Sequence, residues 1–487
     1  MGTILAHVGR WRVRGKLWAG ILTPVIVLGG VGAYAWADAE DIVPGVLTNA
    51  EEKLPPAPFL TAEPVAVAST GAVPVTDLSD SAPIPAASVV NDLATQLRSD
   101  ARTGDSTNVA VVDYLTGEYV GGISPSDTQV PASTTKLLTA AAALHALGPD
   151  FTTKTTATWE SSTATLTLVA GGDLMLASGT GHHGIGHEGE LDEANGWAGL
   201  GDLAQLVRTA LGSNAPATVN VAVDDSAFPG PAWPEAWPEY ARANGYAAPV
   251  TGIAVNIARL AGDGYGARYD DPSLAAADDF ATALTAEGFT VGTVAHAKSP
   301  AAASEVATVE SAPLSIVTKY FLAVSDNTVA EVTGRILALE TGNSVDPAGA
   351  ATATVSQLRD MGVDTSGLVL FDGAGFSEDD RISPHHLTDT IVASRTDPNT
   401  QDLVNYLALG GLEGTVAGRY NDESAAGYVR AKTGSLTGVT TLAGIVTTAD
   451  GRVLAFATMA DGMPYGQTQP KAAIDDFVDA LAECGCQ

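Results

Sequence analysis

Three short segments carry residue types that could do chemistry together: Ser133-Thr134-Thr135-Lys136, Ser325-Asp326-Asn327 and Lys432-Thr433-Gly434. A serine hydroxyl is a poor nucleophile near neutral pH and needs an adjacent base to take its proton. Lys136 lies one helical turn after Ser133, on the same helix face. A lysine acts as a base only when burial or a second cation lowers its pKa, and Lys432 is a candidate for that second charge. In this scheme Ser325 carries the proton to a leaving nitrogen, while Asn327 holds Lys136 and bonds a substrate amide. Lys432 and Thr433 on an edge strand would bind a terminal carboxylate, and Gly434 would leave room for a peptide to pair alongside. The backbone amides of Ser133 and Ser435 are the natural oxyanion donors. Together this is nucleophilic acyl transfer. Taken singly, each segment reads equally well as a helix cap, a solvated lysine or a strand end. The three in order, each on a suitable element, favour the chemistry.

Several elements must position these residues. A helix pattern at 87–101 has Val90, Leu93 and Leu97 on one side. The runs 108–113 and 118–120 flank Leu115-Thr116-Gly117 as a hairpin. Ser133 opens a helical run to Leu147 that Gly148-Pro149 ends. Short strands and turns fill 151–312, helices return at 314–324 and 329–339, and Ser325-Asp326-Asn327 sits at their joint. Strands at 428–433, 439–447 and 452–459 and a last helix at 469–482 follow. No fixed-period repeat is visible, which disfavours a solenoid or propeller.

The ends and the charge set the compartment. The first 37 residues contain no Asp or Glu, carry Arg10, Arg12, Arg14 and Lys16, and then run uncharged from Leu17 to Ala37. This is a signal peptide or a membrane anchor. Ala35-Trp36-Ala37 suits cleavage, whereas 21 uncharged residues suffice to span a bilayer. Either places the rest outside the cytoplasm, with membrane contact only through this segment if it is uncleaved. Residues 38–86 read as a Pro/Ala-rich linker. Removing the leader takes four positive charges from a chain already at −32, so nucleic acid is not an expected partner. Cys484 and Cys486 are too close in sequence for an easy mutual bond, which leaves free thiols or an intermolecular bridge.

Longer runs surround the three segments: Val130 to Ala141, Gly171-Gly172-Asp173-Leu174, Val223 to Phe228, Ser325 to Glu331, Asp372 to Ser377, Gly411 to Thr415 and Ala431 to Gly438. With these the chain resembles the class C penicillin-binding proteins of the type-4 group, D-alanyl-D-alanine carboxypeptidases and endopeptidases, from about residue 87 to the end. The separation of 192 positions between Ser133 and Ser325 resembles the large insert of that group. The resemblance implies an α/β (α+β) fold: a serine β-lactamase/transpeptidase-like domain with an antiparallel sheet and flanking helices. A large insert forming two smaller, mainly β domains would split it. The expected divisions are 87–150 and 313–487 for the transpeptidase-like domain and 151–312 for the insert.

The resemblance further implies an acyl-enzyme at Ser133, with Lys136, Ser325, Asn327 and Lys432 catalytic and Thr433, Gly434, Ser435, Leu436 and Thr437 binding substrate. It implies no metal and no cofactor, peptidoglycan stem peptides as substrate and β-lactams as inhibitors. Asp224 falls where the family reads the amino end of the stem-peptide side chain. One departure is Glu378, where the family often has Arg; Arg381 follows three residues later. A β-lactamase or esterase of the same fold, or an inactive wall-binding protein, are the alternatives. His182, His183 and His187 with Glu188 read as a polar loop more readily than as a metal site. Trp233 and Trp237 likewise read as packed more readily than as a sugar platform.

Overall fold

The computed structural model describes residues 81–487, apart from 104–105, 213–214, 263, 421–423, 464–467 and 486–487. The expected leader and most of the expected linker lie outside the described residues. No helix among the described residues is long and apolar enough to cross a membrane.

The first helix, α1 (Ala87–Ser99), buries Val90, Ala94 and Leu97 on one stripe. The hairpin β1 (Ser106–Asp113) and β2 (Tyr119–Ile123) follows. Its turn is tied by the Asp113 carboxylate, which accepts from the Thr116 amide at 2.7 Å. Ser133 stands in a single 3-10 turn, Ala132–Thr134, that runs into α2 (Thr135–Leu147). Every residue of α2 from Thr135 to Leu144 is buried. A helix that is apolar or small on all sides belongs inside a protein, and α2 is the central helix here.

The region 151–312 builds its own sheet. β3 (Lys154–Glu160), β4 (Thr165–Val169), β6 (Thr218–Asp224), β8 (Thr290–His296) and β9 (Ser304–Glu310) align in the order β8-β6-β4-β3-β9. β4, β6 and β8 run parallel, and β3 is antiparallel to both its neighbours. Helices α3 (Leu200–Leu211) and α5 (Pro272–Ala286) cover it, with Leu203, Val207 and Phe280 packed on Leu166, Leu168 and Val221. The sequence reading of short strands and turns did not register these two helices. The Asp271 side chain capping the Leu274 amide, with Pro272 at the first helical position, was the available signal for the second. A small pair, β5 (Asp173–Leu176) and β7 (Ile253–Val255), and the short α4 (Glu239–Ala243) complete the region. Residues 228–258 do not pack mainly on this sheet: Phe228, Trp237, Ala247 and Ile257 join the same core as Leu137 and Leu138 of α2. The described residues accordingly belong to one compact unit, 77–487.

Helices α6 (Leu314–Val324), α7 (Asn327–Glu340), α8 (Pro347–Asp360) and α9 (Pro384–Ser394) return the chain to α2. Four strands then finish a six-stranded antiparallel sheet: β10 (Ala408–Leu409), β11 (Val429–Leu436), β12 (Val439–Thr447) and β13 (Val453–Asp461), in the order β10-β11-β12-β13-β1-β2. Alternation sorts the side chains. Leu442, Leu454 and Phe456 face a core formed with α1 and the last helix, α10 (Thr468–Ala482), whereas Ala443, Ala455 and Ala457 face α2 and α9. Small residues on the second face let α9 lie close to the sheet, against β13, β1 and β12. The buried Arg452 side chain bonds the Asp113 carboxylate and ties the β12-β13 hairpin to the end of β1. Cys484 is buried and disulfide-bonded, which corrects the expectation of a free thiol; Cys486 lies outside the described residues.

Candidate active site

β11 extends three residues past the expected end at Thr433, so Lys432-Thr433-Gly434 lies inside a strand rather than at its tip. β10 pairs only with Arg430 and Ala431. From Lys432 to Ser435 the outer edge of β11 has no strand beside it among the described residues, which leaves backbone groups there available to an extended peptide. Gly434 is required by the packing beside the strand. A Cβ there would strike the Thr441 hydroxyl and come within 2.7 Å of the Pro131 carbonyl. Its bareness lets the strand approach the turn that carries Ser133. Thr441 Oγ1 completes this junction by donating to the Pro131 carbonyl at 2.8 Å.

The turn itself is strained. Ala132 has φ of 49° and Ser325, which ends α6, has φ of 63°, a left-handed conformation uncommon for non-glycine residues and concentrated at functional sites. The left-handed residue is thus Ser325 itself in one element and Ala132, the residue before Ser133, in the other.

Lys136 is fully buried, and its Nζ lies 2.8 Å from Ser133 Oγ, 2.6 Å from Asn327 Oδ1 and 2.6 Å from the Ala374 carbonyl oxygen. Burial pushes its pKa down to about 7, against the opposing pull of Asp372, Asp326 and Glu331. Of the two expected causes, burial and a second cation, burial is the one at work. Lys432 is itself held well below the usual lysine range, first by burial and second by Lys136. Its Nζ donates to Ser325 Oγ at 2.9 Å and to the Thr433 carbonyl at 2.8 Å. Fully buried and turned to Ser325, Lys432 does not line the cavity, whereas Thr433 does. Asn327 is fixed from its other end, where Nδ2 donates to the Tyr246 carbonyl at 2.8 Å. Asp326 caps α7 by accepting from the Val329 amide at 3.0 Å, and it faces Arg259 at 3.5 Å.

A cavity of about 850 Å³ opens over these groups. Ser133, Ser325 and Asn327 lie on its floor, Thr433, Ser435, Leu436 and Thr437 form one wall, and Tyr240, Tyr246 and Tyr265 stand among its other lining residues. Asp224 is not brought there. It is buried at the end of β6, where its carboxylate accepts from the Ser226 and Ser299 amides at 3.0 and 2.7 Å. Glu378 is exposed, and Arg381 spends its guanidinium on the Glu378 and Asp380 carbonyls. Trp237 is packed in the core, with its Nε1 donating to Asp372 at 3.1 Å.

Sequence reasoning gave Asp372 no role. Its carboxylate accepts from the amides of Ala374, Gly375, Phe376 and Ser377, and so shapes the loop that presents the Ala374 carbonyl to Lys136. Gly375 is required twice in that loop, by a φ of 80° and by the Ala132 carbonyl, against which a Cβ would collide. The Glu331–Arg335 pair, buried within α7, holds the loop from below through Glu331 Oε2, which accepts from the Gly373 amide at 2.8 Å. Burial raises the Glu331 pKa.

Comparison with known proteins bears on the family and the fold. The model of the D-Ala-D-Ala carboxypeptidase 3 (S13) family matches residues 89–267 and 257–484. Carboxypeptidase DacB of Mycolicibacterium smegmatis is 33% identical over 98% of this chain and 99% of its own. The D-alanyl-D-alanine carboxypeptidase of an Actinomadura species is 28% identical over 80% of this chain and 84% of its own. The crystal structure of penicillin binding protein 4 from Haemophilus influenzae shares the fold, with a TM-score of 0.64 at 18% identity over 80% of this chain and 98% of that one. By the extent of these matches, the chain belongs to the D-Ala-D-Ala carboxypeptidase 3 (S13) family.

Proposed function

We propose that the protein is an exported serine D-alanyl-D-alanine carboxypeptidase acting on peptidoglycan stem peptides, with Ser133 as nucleophile. The observation that carries this reading is the buried Lys136 amine, in contact with Ser133 Oγ and held near neutral pKa. Ser133 Oγ forms a bond to the carbonyl carbon of the penultimate D-alanine as its proton passes to neutral Lys136. The C–N bond then breaks, and the leaving amine takes a proton through Ser325, which Lys432 supports. Water attacks the ester, returns the proton to Ser133 and frees the shortened peptide. A β-lactam amide enters the same first step. Cross-link cleavage differs only in the size of the leaving amine, and the 850 Å³ cavity has room for one.

Division of the chain into a transpeptidase-like domain (87–150 and 313–487) and an insert (151–312) belongs to the same proposal. It is supported by the separate core under β3, β4, β6, β8 and β9. Export is supported by the basic and then uncharged run before Asp38. Incubation of the chain with an acyl-D-alanyl-D-alanine peptide should release D-alanine, and the Ser133→Ala variant should release none above background. Unchanged release in that variant would overturn the assignment.

A further inference from the structure

The cavity wall beyond Thr433 carries a cationic corner with no assigned use. Thr433 Oγ1 donates to Thr415 Oγ1 at 2.9 Å, and four residues further on Arg419 reaches the same cavity, as does Lys471 from the first turn of α10. The two cations are not equivalent. Arg419 is clamped by Asp475 through Nε at 2.8 Å and a second contact from Nη2, and its guanidinium lies 5.6 Å from the Tyr420 ring centroid. Lys471, one turn before Asp475 on the same helix, makes no hydrogen bond or ion pair among the described residues. Burial and the neighbouring Arg419 both disfavour its charge, with Asp475 a smaller compensation.

A half-buried, unpaired ammonium beside a guanidinium is unfavourable by itself, and it is out of place in a chain of net charge −32. An anion entering the cavity would relieve both costs. With Arg419 already neutralised, one positive charge remains for the ligand, which suits a single carboxylate.

We propose that Lys471, beside the Arg419–Asp475 pair, binds a carboxylate carried by the leaving group of the peptide substrate. This rests on the acyl-transfer reading above, in which Thr433 lies on the leaving-group side of Ser133. Two sources supply the same chemistry: the terminal carboxylate of a departing D-alanine, or a further carboxylate on a longer leaving group such as cross-link cleavage would release.

The test uses the full chain with Ser133→Ala, so that ligands bind without turnover, and compares it with Ser133→Ala/Lys471→Met and Ser133→Ala/Lys471→Arg by calorimetry. The probes are acyl-D-alanyl-D-alanine, its C-terminal amide, and acyl-D-alanyl-D-glutamate. Lys471→Met should weaken one or both carboxylate peptides about tenfold or more, the loss of a charged hydrogen bond. The amide should bind both variants alike, and Lys471→Arg should restore most of the affinity. Weakening of both acids assigns the terminal carboxylate; weakening of the glutamate peptide alone assigns the second. Equal affinities for all three probes, or an equal loss for the amide, would overturn the subsite. Failure of the nucleophile reading appears elsewhere, as D-alanine release that survives Ser133→Ala.

Discussion

Replacing Lys136 with alanine is expected to slow acylation of the protein by a β-lactam roughly 10²–10⁴-fold, the range for loss of a positioned base. The lysine is the only group bonded to Ser133 Oγ among the described residues, so no second base stands in. Folding should survive. Asn327 Oδ1 and the Ala374 carbonyl lose their donor at about 1–3 kcal/mol each, but a buried amine and its desolvation are removed as well. Arginine at this position should be no better than alanine, because a guanidinium does not give up its proton.

The same lysine fixes the pH dependence. A base works when neutral, and a group with a pKa of about 7 is neutral above that value. Acylation by the unmodified protein should therefore rise with pH through about 7 and then level, falling about tenfold for each unit below. An unperturbed lysine would give a rate still rising at pH 10. Stopped-flow acylation across pH 5 to 10 distinguishes the two.

The second large effect is expected at Asp372, which touches no substrate. Asp372→Ala should cost about 3–5 kcal/mol of stability, since four backbone amides and the Trp237 indole lose a buried acceptor together. Acylation should fall with it, because the loop that presents the Ala374 carbonyl to Lys136 has lost what shapes it. Asp372→Asn keeps one acceptor oxygen. Its NH₂ group, however, must face donors, either Ala374 and Gly375 or Ser377 and Trp237, so most of the loss should remain. Denaturant unfolding read beside acylation rate checks both; a stable Asp372→Ala protein with normal acylation would contradict the role given to this loop.

The three catalytic segments were legible because their chemistry resides in side chains at short spacing. The helix from Ser133 and the strand pairing of 439–447 with 452–459 followed from pattern alone. The groups that complete the site were hidden for a physical reason. Two of the contacts that hold Lys136 and Asn327 are backbone carbonyls, Ala374 and Tyr246, which no residue type announces. The role of Asp372 was hidden because turns and carbonyl-presenting loops use the same Asp-Gly signal. Lys471 and Arg419 lie 52 residues apart and meet only through the fold. For Asp224 the family position was visible, but its carboxylate accepts from one local amide, Ser226, and one distant in sequence, Ser299. Lys432 shows the reverse case, a residue found from sequence whose direction, inward to Ser325, only the structure gives.

The central claim, that Ser133 is the acylated residue, is tested most directly by incubating the full chain with benzylpenicillin and mapping the adduct by mass spectrometry. A single addition of the intact drug on the peptide containing Ser133, lost in Ser133→Ala, is the predicted result. An adduct on any other residue, or none, would contradict it.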